Sequence, residues 1–222
     1  MAKVAVVLSG CGVYDGSEIH EAVVTLLALD GLGAEVQCVA PELPQMHVIN
    51  HVEGEPQEGE ARNVLVESAR IARGDIKALS SVRADEFDAI IFPGGFGVAK
   101  NLFDYAVEGT DCAVNPDVEN FIMDAYNSQV PLGFICISPV LAAKVLGEKT
   151  DGLKLTIGSD EDTASDIEEF GATHVNCTVD DCVIDIKNNI ISTPAYMLGP
   201  GIKEVATGIE KLVQEIIGMA SQ

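Results

Sequence analysis

Cys136 has the setting that most suggests chemistry. The apolar run Leu132 to Ile135 ends at it, and Ser138-Pro139 then opens a helical pattern that continues through Leu146. A thiol at a strand-to-helix corner stands at the mouth of a sheet, where the free N–H groups of the following helix favour the thiolate. That makes Cys136 a candidate nucleophile, although cysteine is among the most buried residue types and can simply fill such a turn. The Gly94-Gly95 pair permits close backbone approach, so the N–H groups of Gly95 and Ile137 could together hold an oxyanion; Pro-Gly-Gly is also an ordinary turn.

Glu18 lies at the first turn of a predicted helix and could reach the same crevice as a proton shuttle. The spacing of Asp15-Gly16-Ser17-Glu18 equally fits a capping box. Histidine bases are scarce: His174 falls inside a predicted strand, and His51 in the H-x-E of a long loop. Cys11 follows the first predicted strand and either pairs with Cys136 across the crevice or packs as a small apolar thiol.

The elements needed to position these residues can be read from hydrophobic patterning. Val4 to Leu8 is a strand buried on both faces, ending in Ser9-Gly10-Cys11-Gly12. Ile19, Val23, Leu26 and Leu27 recur at helical spacing up to Gly31, and a second strand follows at Glu35 to Val39, which completes a βαβ unit. The stretch 41–60, rich in proline and acids, reads as a long surface excursion. A helix over Ala61 to Arg73, a strand at Asp88 to Phe92 and a short helix at Val98 to Phe103 come next. Asn115-Pro116 caps a helix that buries Val118, Phe121, Ile122 and Ala125.

Later strands fall at Lys154 to Ile157 and Thr173 to Cys177, and Asp160-Glu161-Asp162 favours the start of a helix between them. A hairpin pairs Cys182 to Ile186 with Ile190 to Thr193, and Ile202 to Met219 is a closing amphipathic helix. The alternation predicts one α/β domain over residues 1–222, with helices on both faces of a mostly parallel sheet. In such sheets the reactive crevice lies beyond the carboxyl ends of the strands, where the segments after Leu8, Phe92 and Ile135 converge.

Composition narrows the function classes. With 35 acidic residues against 13 basic ones the formal charge is −22, so phosphate backbones and anionic lipid surfaces repel the chain and nucleic acid is not an expected partner. No apolar run approaches the ~18 residues of a membrane span. A cytoplasmic address is expected, with the six cysteines reduced and without metal-ligand spacing.

Taken in order, LSGCGVYDGSEIHEAV (8–23), VINH (48–51), FPGGFGVAKNL (92–102), PLGFICISP (131–139), LTIGSD (155–160) and TPAYML (193–198) resemble the ThiJ/PfpI superfamily, also called the DJ-one superfamily, and within it the ElbB-like proteins of the ES-one group. The resemblance implies a flavodoxin-like three-layer sandwich of the class I glutamine amidotransferase-like type. It implies Cys136 as the elbow nucleophile, Glu18 as the buried glutamate beside it, and Gly95 and Ile137 at the oxyanion-hole amides. Cys11, Gly94, Asn50 and His51 are its candidate substrate-site positions.

Many superfamily members carry a histidine after the elbow, whereas the matching region Ile157-Gly158-Ser159 has none. That speaks against protease or amidotransferase chemistry, which needs a base and a protonated leaving group. The implied activity is a glutathione-independent glyoxalase converting glyoxal to glycolate, with no metal or organic cofactor, a small dicarbonyl as substrate and a homodimeric assembly. The alternatives are a redox-sensing thiol protein, an amidotransferase-like partner protein in isoprenoid metabolism, and protein deglycation.

Overall fold

The computed structural model describes residues 1–221. The chain runs β1 (Lys3–Val7), α1 (Ile19–Gly31), β2 (Glu35–Ala40), β3 (Ile49–Asn50), β4 (Glu55–Pro56), α2 (Val64–Ile71), β5 (Ile76–Ala78), β6 (Ala89–Phe92) and a π turn (Val98–Leu102). There follow α3 (Tyr105–Glu108), α4 (Pro116–Asn127), β7 (Leu132–Ile135), α5 (Ser138–Leu146), β8 (Lys154–Leu155) and α6 (Glu161–Glu169), then β9 (Thr173–His174), β10 (Val183–Asp185), β11 (Ile190–Thr193) and α7 (Ile202–Ala220). Seven strands form one sheet in the order β10-β11-β7-β6-β1-β2-β5. All neighbours are parallel except the β10–β11 hairpin.

The period-2 pleat divides each central strand between two cores. Ala5, Val7, Ile90, Phe92, Leu132 and Phe134 face α4 and α5, with the Phe92 and Phe134 rings stacked at 5.0 Å between centroids. Val4, Val6, Ile91, Ile135 and Ile191 face α1 and α7. Burial on both sides is why these strands read as continuous apolar runs. Asn115 caps α4 through its Oδ1, and that helix buries the four residues its pattern indicates.

Several boundaries differ from the sequence reading. β8 and β9 are two-residue strands paired with each other outside the main sheet, shorter than the runs Lys154 to Ile157 and Thr173 to Cys177 suggest. The helix expected from Ala61 begins only at Val64, because the Asn63 side chain caps it by accepting the Val66 N–H at 3.1 Å. The edge strand β5 has no counterpart in the sequence reading; three residues carry too little pattern.

The 41–60 excursion is tied down along its first half. The Ile49 N–H donates to Asp15 Oδ2 at 2.7 Å, the Met46 N–H to Asn101 Oδ1 at 2.9 Å, and Val48 and Ile49 are buried. The larger difference is the phase of α1. Ile19, Val23 and Leu27 are 42%, 48% and 65% exposed, while Glu21, Ala22, Val24, Thr25 and Leu29 face inward.

Candidate active site

The elbow is built where β7 hands over to α5. Cys136 sits at φ 64°, a left-handed conformation that is costly for a residue with a side chain and that the surroundings over-determine. Its N–H donates to the Thr193 carbonyl at 2.9 Å. Ser138 Oγ accepts the Ile135 N–H at 2.7 Å and donates to the Phe92 carbonyl at 2.8 Å, which fastens the elbow to both β6 and β7. Cys136 is buried, and the backbone N–H groups of Gly95 and Ile137 both hydrogen-bond its sulfur. The amides expected to hold an oxyanion are thus gathered on the nucleophile.

Gly94 belongs to the same site. A Cβ there would lie 2.4 Å from Cys136 Cβ and 2.7 Å from Glu21 Oε2, so only glycine fits. Gly95, at φ 101°, packs so tightly on the 10–18 loop that a Cβ would come within 2.3 Å of the Glu18 nitrogen. The Glu18 N–H donates to the Gly94 carbonyl at 2.9 Å and the Gly97 N–H to the Gly16 carbonyl at 2.9 Å, so the loops after β1 and β6 brace each other.

The acid beside the thiol is Glu21, and this corrects the sequence reading. Glu18 is the N-cap of α1, its Oε2 accepting the Glu21 N–H at 2.7 Å, so it does the capping itself instead of closing a box begun at Asp15. Three residues on, Glu21 is fully buried and hydrogen-bonds the Cys136 thiol. Glu21 Oε2 accepts the Gly94 N–H at 2.9 Å and Oε1 the Tyr196 N–H at 3.2 Å.

Burial, then the neighbouring Glu18 carboxylate, pushes Glu21 up to about 8. Burial, then Glu21, pushes the Cys136 thiol well above its ordinary range. Burial and Glu21 thus work against the thiolate that the helix N-terminus favours. Desolvation and the adjacent carboxyl outweigh two amide hydrogen bonds, so near neutral pH the pair holds its protons.

Other sequence candidates stand elsewhere. Cys11, a free thiol, has Arg70, Glu67, Asp15 and Arg62 as its charged neighbours. His51 Nε2 accepts the Tyr14 N–H at 3.2 Å and its ring packs on Tyr14, while Asn50 bonds Glu53 and the Val52 N–H. Among the described residues no hydrogen bond or ion pair joins Cys11, Asn50 or His51 to Cys136 or Glu21. His174 Nε2 accepts the Ile157 N–H at 3.3 Å and acts as a strut.

The sequence reading passed over His20, whose Nδ1 lies 2.8 Å from the Tyr196 hydroxyl, the residue whose amide holds Glu21. Its signal was position, directly after the helix cap. Among the described residues no group of three His, Cys, Asp or Glu side chains could hold a metal ion. A cleft of about 740 Å³ bordered by Phe87, Pro131, Ile186 and Met219 opens at the amino ends of β6 and β7, the end of the sheet opposite Cys136.

A mostly parallel sheet with a cysteine elbow over its carboxyl edge places the chain among the class I glutamine amidotransferase-like α/β proteins. It is 47% identical to the human mitochondrial glutamine amidotransferase-like class 1 domain-containing protein 3 over all of this chain and 84% of that one, and 46% identical to the rat mitochondrial ES1 protein homolog over all of this chain and 85% of that one. The crystal structure of an isoprenoid biosynthesis protein with an amidotransferase-like domain from Ehrlichia chaffeensis superposes with a TM-score of 0.91 at 38% identity, covering 99% of both chains. Glyoxalase III from Candida albicans shares the fold, with a TM-score of 0.64 at 17% identity over 98% of this chain and 97% of that one. No family model matches. The chain belongs to the ES1 proteins of the DJ-1/ThiJ/PfpI superfamily. Among the described residues no helix is long and apolar enough to cross a membrane.

Proposed function

We propose that the protein is a glutathione-independent glyoxalase that converts glyoxal to glycolate, with Cys136 as nucleophile and Glu21, in the place first given to Glu18, as proton shuttle. The observation that carries this reading is the Cys136–Glu21 hydrogen bond under the amides of Gly95 and Ile137. A cysteine as buried as Cys136 is reached by a two-carbon dicarbonyl far more readily than by a peptide side chain, which favours a small substrate over deglycation of proteins.

The Cys136 sulfur adds to one aldehyde carbon, and the thiol proton passes to the carbonyl oxygen, giving a hemithioacetal held by the two amides. The ionised fraction of Glu21 removes the C–H proton of that carbon, the second carbonyl oxygen takes up a proton to give an enediol, the carbon-derived proton returns to the second carbon, and the hydroxyl proton of the first carbon is released to water. One carbon is oxidised to a thioester and the other reduced to an alcohol. Water then hydrolyses the thioester to glycolate and restores the thiol. A base whose pKa lies near 8 is well matched to taking a proton from carbon and giving it back near neutral pH.

A redox sensor needs a thiolate at rest, which the buried acid beside Cys136 opposes. The deciding experiment measures glycolate from glyoxal without glutathione for the wild type and for Cys136→Ala and Glu21→Gln. Glycolate from the wild type alone supports the reading; a silent wild type ends it and turns attention to a protein partner. The cytoplasmic address and the homodimer are carried as parts of the same proposal, checked by fractionation and light scattering.

A further inference from the structure

Three side chains close to the Cys136–Glu21 pair have no part in the chemistry above. His20 Nδ1 lies 2.8 Å from the Tyr196 hydroxyl and 4.0 Å from Glu18 Oε1. Tyr196 is joined to the pair through its own backbone, its N–H donating to Glu21 Oε1 at 3.2 Å. Its ring packs, partly buried, against the core cluster that contains Cys136. The residue before it, Ala195, is fully buried at φ 45°, and its carbonyl accepts the Leu198 and Gly199 N–H groups at 3.1 and 2.9 Å, so the loop fixes where Tyr196 points. Burial, then the charges of Glu18 and Glu21, raises the Tyr196 hydroxyl, which keeps it a donor.

The glyoxalase reading leaves one proton transfer without a residue. When Glu21 takes the proton from the thiol-bearing carbon, the electrons of the second carbonyl move onto its oxygen, and that oxygen must be protonated. Glu21 cannot supply this proton while it is receiving another.

Resting on that reading, we propose that Tyr196 is a catalytic residue whose hydroxyl hydrogen-bonds the second carbonyl oxygen of a 1,2-dicarbonyl and donates the proton it takes up, and that His20 is the positioning residue that orients the hydroxyl and returns its proton. The step balances. The C–H bond breaks to Glu21, a C=C bond forms as the second C=O π bond opens, and the O–H bond of Tyr196 breaks to that oxygen. The proton then comes back to the phenolate from His20 Nδ1, which is re-protonated from water. The groups facing the phenol are Glu18 and Glu21 from α1, together with His20 itself.

The test compares glyoxal turnover and the iodoacetamide alkylation rate of Cys136 in the wild type, Tyr196→Phe, His20→Ala and the double variant. Tyr196→Phe is expected to lower kcat about 100-fold, the lower end of general acid–base contributions, with alkylation within twofold of wild type. His20→Ala is expected to lower kcat about tenfold with KM unchanged, and the double variant to match Tyr196→Phe, since His20 acts only through the phenol. An active wild type with an equally active Tyr196→Phe overturns the role of Tyr196. Losses that multiply in the double variant overturn the role of His20. A parallel fall in alkylation assigns both residues to structure alone. A wild type that makes no glycolate overturns the glyoxalase reading, and this assignment with it.

Discussion

Glu21 hydrogen-bonds the Cys136 thiol from a position three residues beyond Glu18, so the acid in contact with the sulfur is the second of two glutamates in the first turns of α1. The two have different roles, and single substitutions separate them. Glu21→Gln is expected to lower kcat for glyoxal by about 10²- to 10⁴-fold. Glu18→Ala should retain most turnover and lose about 1 kcal/mol of stability with the helix cap. Steady-state glycolate assays and urea melts check both; loss of turnover on removing Glu18 equal to that on removing Glu21 would refute the assignment.

Reactivity and catalysis should move in opposite directions at Glu21. Because its carboxyl is a cause of the raised thiol pKa, Glu21→Gln is expected to be alkylated by iodoacetamide faster than wild type at pH 9, while making little glycolate. In the wild type, where the thiol is protonated at neutral pH, alkylation should keep rising above pH 8 without an early plateau. A plateau near pH 7 would show a thiolate at rest.

Stability should carry the same signature. In the unfolded chain Glu21 ionises near its ordinary 4.5, and in the folded protein near 8. Its contribution to stability is therefore fully present below about pH 4.5 and is lost as pH rises toward 8, by at most about 1.4 kcal/mol per pH unit for one proton. The difference in unfolding free energy between Glu21→Gln and wild type is expected to shift in favour of the variant from pH 5 to pH 8. Parallel curves would mean that Glu21 is not the titrating group.

Part of this was legible in the sequence and part was not, for a reason that lies in one helix. Cys136, Gly94, Gly95 and Ile137 stand out in the sequence because a strand, a corner and a helix start leave sharp local marks. The glutamate was misplaced because α1 carries apolar side chains all round. Ile19, Val23 and Leu27 make a convincing stripe, yet they face outward, and the buried face is marked by small residues, Ala22 and Thr25, beside Glu21. Periodicity gives the angle between residues but not which side meets the sheet. Phase error in α1 is enough to exchange the two carboxyls. His20 was missed for a related reason: its partner Tyr196 is 176 positions away, and only the closure of the sheet brings the two together.

Close packing around the elbow gives a fourth prediction. Gly94→Ala would force a Cβ to within 2.4 Å of Cys136 Cβ and 2.8 Å of the Ile135 carbonyl, so it is expected to abolish turnover and to destabilise the fold by about 1–3 kcal/mol. A variant with wild-type melting and activity would show that the elbow relaxes freely.

Asn101 tests the bracing of the 41–60 excursion. Its Nδ2 donates to the Ser9 and Asp15 carbonyls at 2.8 and 3.0 Å, and its Oδ1 accepts the Met46 N–H. Asn101→Ala leaves buried groups without partners and is expected to cost about 1–3 kcal/mol, with faster amide exchange at Met46 and Ile49. Unchanged exchange would show that the excursion is held by other contacts.

The nearly buried Glu18 carboxyl stands beside Glu21 on a chain of formal charge −22. On the proposed activity, negative charge beside the thiol favours uncharged dicarbonyls over carboxylates as substrates. On the same proposal the product, glycolate, forms as an anion next to Glu18. Repulsion from that charge is expected to speed its release, so initial rates with added glycolate should show weak product inhibition.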